Sequence, residues 1–140
     1  MKYYITAFAM GALWFLALYP FSKALPLGGE AFPFDLLTMC LASLTIAALF
    51  RRRIAQANRY AFMLHSVLLP CVGAFVFGIF LVAFMAIQKV ARNEPFTDAE
   101  AFLMLPVTCV IYGAIGTFFV SIPMGVLSQY VMQKVSKPRA

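Results

Sequence analysis

Leu49-Phe50-Arg51-Arg52-Arg53-Ile54-Ala55-Gln56-Ala57-Asn58-Arg59-Tyr60 decides how this chain is read. Four arginines fall within a few residues, with no carboxylate among them, and nearly everything on either side is apolar. A short basic loop between apolar runs is the pattern by which a membrane protein fixes its orientation, because loops rich in Lys and Arg stay on the cytoplasmic side.

The composition supports that setting. Of 140 residues, 64% are apolar and 11% are charged, and the mean hydropathy is +0.90. A soluble domain averages about 45–50% apolar and about 25% charged residues, and a small domain has too little interior to hide this much apolar surface. Crossing a hydrocarbon core of about 30 Å takes roughly 20 apolar residues in a helix. Segments at about 3–21, 34–53, 60–89 and 98–132 meet that need and nearly exhaust the chain. The expectation is an all-α membrane protein: one four-transmembrane-helix bundle, with no separate soluble domain.

Charge orients the bundle. Lys2, Arg51, Arg52, Arg53, Arg59, Lys134, Lys137 and Arg139 fall on one side of a four-span chain. Lys23, Lys89 and Arg92 fall on the other, together with all five carboxylates, Glu30, Asp35, Glu94, Asp98 and Glu100. This asymmetry predicts both termini in the cytoplasm and a bacterial inner-membrane location. It also accounts for the net charge of +6 without nucleic acid, which would need a surface domain to present a basic patch. The arginines are candidates for contact with anionic lipid headgroups as well.

Local signals mark the ends of the segments. Tyr3, Tyr4 and Tyr19 suit the membrane interfaces. The first segment has a second reading as a signal peptide, with Ser22 and Ala24 as a small-x-small cleavage site. Against it stand a thin basic n-region, a long apolar run and Lys23 inside the proposed site. Leu25 to Pro33, with two prolines and paired glycines, reads as a turn-rich loop. Asp35 suits the first turn of the second helix. Thr97-Asp98-Ala99-Glu100 reads as a capping box that starts the fourth. Helices 3 and 4 are longer than a straight span needs, so tilt or bending is expected, with kinks at Pro70, Pro106 and Pro123.

In lipid, helices associate through close packing of small side chains. Cys109, Gly113, Thr117, Ser121 and Gly125 recur at every fourth position of the fourth segment and share one face. Ser66, Pro70, Ala74 and Gly78 make a similar row in the third, and Ala7 and Gly11 a shorter one in the first. These rows serve either packing within one bundle or contact with a membrane-protein partner or a second copy.

Chemistry-bearing residues are sparse. Cys40, Cys71 and Cys109 lie in apolar segments without a C-x-x-C pair and read as small buried side chains. His65, the single histidine, falls near the cytoplasmic interface, where a hydrogen-bonded ring is expected; one histidine supplies neither a typical metal site nor both axial ligands of a haem. No cofactor is implied. The hydroxyls of Ser66, Thr108, Thr117, Ser121 and Ser128 have no base beside them in sequence, and membrane hydroxyls usually bond back to a carbonyl. No Asp, Glu, Lys or Arg falls in mid-span, where proton-coupled transporters place an ionisable group. The sequence thus favours a non-catalytic accessory subunit or modulator acting through helix contacts. A small dimeric transporter or lipid flippase is the alternative, and an immunity protein against a pore-forming toxin is a third.

Overall fold

The computed structural model describes residues 1–22, 32–95 and 99–136. Among them every regular element is a helix: α1 (Lys2–Ser22), α2 (Phe32–Ala55), α3 (Arg59–Ala91), α4 (Ala99–Thr108), a π-helical segment (Cys109–Ile115) and α5 (Phe118–Ser136). The loop from Leu25 to Ala31, Thr97 and Asp98 of the expected capping box, and the tail residues Lys137 and Arg139 lie outside the described residues.

Three helices, α1 to α3, are long and apolar enough to cross a membrane. The count becomes four if the bent pair Leu103–Ile115 and Phe118–Ser136 is one span. Large apolar side chains cover the outside: Leu16, Leu49, Leu64 and Leu103 are each more than half exposed. A surface of this kind is unfavourable in water and suited to lipid, so the chain is read as an integral membrane protein.

The helix ends follow from local chemistry. Asn58 caps α3, its side chain accepting from the Ala61 amide at 2.9 Å. At the other end Asn93 adopts a left-handed φ of 52°, and the Asn93 and Glu94 amides donate to the Val90 and Lys89 carbonyls. This is a Schellman ending, which satisfies carbonyls that the helix leaves open. The Arg92–Glu94 pair beside it, at 4.0 Å and well exposed, contributes little.

α1 and α2 form an antiparallel hairpin. A methyl group on Gly11 would sit 2.6 Å from the Cys40 Cα, so the two backbones touch there and only glycine fits. The Ser43 hydroxyl donates to the Ala7 carbonyl at 2.7 Å, and the Tyr3 hydroxyl to the Ala47 carbonyl at 2.9 Å. α3 packs against α2, α4, the π segment and α5, while α5 also lies along α1 and α2. One buried cluster joins Tyr3, Ala7, Met10, Ala47, Ile54 and Met132; a second joins Ala42, Phe77, Leu81 and Cys109.

The fourth segment departs from the sequence expectation of one long helix bent at two prolines. Pro106 and Pro123 lie inside α4 and α5, and Pro70 inside α3. The chain turns by 87° at Gly116-Thr117, between the two prolines of that segment. The π-helical winding just before the turn hands its last bond from the Gly116 amide to the Ile111 carbonyl, at 2.8 Å. The Thr117 hydroxyl donates to the Gly113 carbonyl, and the Ser121 hydroxyl lies 3.4 Å from the same oxygen and 3.1 Å from Thr117 Oγ1. Side-chain donors thus meet a carbonyl next to the break, which is how interrupted helices survive away from water.

Candidate functional site

The small-residue row of the fourth segment faces the interior. Cys109, Thr117, Ser121 and Gly125 are buried and Gly113 is half-buried. A methyl group on Gly125 would overlap the Ser66 carbonyl oxygen. Pro70, four residues on, has no N–H to offer that carbonyl, so the bare Gly125 backbone fills the gap that the proline leaves. A methyl group on Gly78 would likewise overlap the Pro106 Cα. Two of the prolines singled out in the sequence therefore sit where a glycine of another helix makes its closest approach.

Between the helices lies a cavity of about 200 Å³, and every helical element contributes to its lining. The lining runs from Tyr19 and Asp35 at one end to Ile54 and Met132 at the other, and is almost entirely apolar. Among the described residues, Asp35 is its single formally charged side chain. The Trp14 indole N–H donates to Ser128 Oγ at 2.8 Å. Gln129, one residue on, is 2% exposed and lines the cavity, and neither its Oε1 nor its Nε2 has a hydrogen-bond partner. An unpaired buried amide is costly. Sequence reasoning passed over Gln129; its signal was a lone amide on the apolar run before the basic tail.

Four arginines gather at one end of the molecule. Arg51, Arg52 and Arg53 are exposed on the last turns of α2, and Arg59 is the first residue of α3. The Arg51 guanidinium lies 5.3 Å from the Tyr3 ring centre and 5.8 Å from that of Tyr4, within cation–π range. Gln133 Nε2 donates to the Ala57 carbonyl at 3.0 Å, tying the end of α5 to the loop between α2 and α3. Lys2, Lys134 and these arginines thus share one end.

The remaining candidates stay apart. His65 Nδ1 is buried and has no hydrogen-bond partner, in contrast to the bonded ring expected at the interface. Cys40 and Cys109 are buried, Cys71 is half-buried, and all three are free thiols. Among the described residues no three His, Cys, Asp or Glu side chains gather in a metal-binding group. The hydroxyls of Ser66 and Thr108 bond back to the Phe62 and Met104 carbonyls.

Compared with protein-family models, curated proteins and solved structures, the chain matches none.

Proposed function

We propose that this chain is a small non-catalytic membrane protein that acts through helix contacts, as an accessory subunit or modulator, and that its partner covers the outer face of the Gly116-Thr117 break. The observation that carries this reading is the exposure of the break. Tyr112, Ile115, Phe118 and Phe119 around it are 55%, 58%, 60% and 55% exposed. Backbone that leaves the helical ladder is not tolerated against lipid and needs protein cover at membrane depth. The small-residue face of the same segment already turns inward, toward α3 and the cavity, so the partner meets the opposite, aromatic face. In this reading the basic end faces the cytoplasm, both termini with it, and the protein sits in the inner membrane.

A photoreactive residue at position 115, compared in living cells with one at the lipid-facing position 49, tests the proposal. Position 115 should give a protein adduct of discrete mass, and position 49 lipid adducts. Lipid adducts alone at both positions would overturn it, and an adduct of twice the chain's mass would make the partner a second copy. The cavity favours a second reading, a small transporter or lipid flippase. That reading requires solute or lipid flux in vesicles reconstituted with the pure protein.

A further inference from the structure

The geometry points to the central cavity as a binding site for a neutral lipophile that bears a carbonyl or hydroxyl group, held by the Gln129 side chain. This inference does not depend on the partner proposed above. A cavity of about 200 Å³ exceeds the roughly 150 Å³ that admits benzene, so it takes a ring-sized body or a stretch of hydrocarbon chain.

Water is a poor occupant. A buried water needs two to four polar partners, and the cavity wall is almost entirely apolar. The Trp14–Ser128 bond already engages the adjacent hydroxyl. An amphiphile satisfies both demands: its apolar body fills the volume, and its polar group meets the amide. Gln129 Nε2 donates to a carbonyl or hydroxyl oxygen, and Oε1 accepts from a hydroxyl.

Charge sets the ligand class. Among the described residues no Lys, Arg or His lines the cavity, and Asp35 at the far end repels anions. A carboxylate or phosphate would enter without a counter-ion, which low-dielectric surroundings penalise. Gln129 lies four residues from Gln133, about 6 Å along α5, and Gln133 is bound to the loop at the basic end. The polar group therefore sits toward that end, and the apolar body points toward Asp35.

The test uses the full chain in lipid nanodiscs with a diazirine-bearing hexadecanol, mapped by peptide mass spectrometry. Saturable labelling is expected on α5 near Gln129 and on cavity-facing residues of α2. Gln129→Leu, close in volume but without the amide, should lower saturable labelling at least tenfold while the melting temperature holds or rises. Hexadecanoic acid carrying the same diazirine should label weakly at neutral pH. Competition by a short-chain benzoquinone, set against unlabelled hexadecanol, separates carbonyl from hydroxyl ligands. Gly113→Leu, which fills the cavity and keeps the amide, carries the test should Gln129→Leu not fold; it too should abolish saturable labelling. Labelling confined to lipid-facing residues, or unchanged in the variants that fold, would overturn the inference.

Discussion

The α1–α2 hairpin and the α4–π–α5 segment solve the same packing problem differently. The hairpin uses two continuous helices that touch at Gly11 and Cys40, with hydroxyls of Tyr3 and Ser43 reaching across to carbonyls of the facing helix. The fourth segment makes close approaches to α3 at Gly78–Pro106 and at Gly125–Ser66, and turns through 87° between them. Beside the turn, its Thr117 and Ser121 hydroxyls are spent on its own backbone, at the Gly113 carbonyl. The continuous helices meet along their seam, and the broken segment turns away between its two anchors; the cavity lies between that segment, α3 and the hairpin, and all of them line it.

The largest effect is expected where the broken segment is anchored. Gly125→Leu would push a side chain into the Ser66 carbonyl and the Pro70 ring. Overpacking costs about 1–3 kcal/mol and occasionally more; against backbone the upper end is expected, so the variant should lose most of its folded population in detergent unfolding titrations. A variant as stable as the parent would show that α5 does not lean on α3 there.

Next in size is the break itself. Thr117→Val keeps the shape and removes the hydroxyl that serves the Gly113 carbonyl. Hydrogen bonds between groups in membrane proteins average about 0.6 kcal/mol and reach about 1.7. This one stands where the regular ladder is interrupted, so the upper part of that range is expected, with faster amide exchange confined to residues around the break. Tyr3→Phe in the hairpin should cost less, about 0.6 kcal/mol. The Ala47 carbonyl lies within continuous α2, and the ring keeps its place under Arg51. Equal losses for the two variants would erase the contrast between the regions.

The sequence made the membrane class legible because lipid solvation demands long apolar runs, and these are visible without any tertiary information. The basic residues that gather at one end were legible for a similar reason, since alternation along the chain is a one-dimensional property. The break at Gly116-Thr117 was not. Pro106 and Pro123 looked like the weak points because a proline removes a donor wherever it stands. Whether the helix breaks there depends on what faces it, and Pro106 is backed by Gly78. The hydroxyls of Thr117 and Ser121 compete for one carbonyl, yet in the sequence they look like two more small residues in a row. Cation–π contact between Arg51 and Tyr3, and the cavity at Gln129, depend on helix registers that no single segment encodes.

The small-residue row shows the same limit within one motif, and the smallest predicted effect follows from it. Gly113 and Gly125 share the sequence pattern, but a methyl group on Gly113 would meet only the Ala74 Cβ, at 3.9 Å, an ordinary contact. Gly113 borders the cavity rather than a backbone. Gly113→Ala should therefore leave stability within about 0.5 kcal/mol of the parent, or raise it by up to about 1 kcal/mol through reduced freedom of the unfolded chain. A large loss would mean that the π-helical segment lies closer to α3 than this cavity allows. A neutral result beside a severe one at Gly125 would show that the row marks a shared face, while the helix opposite decides which of its glycines is indispensable.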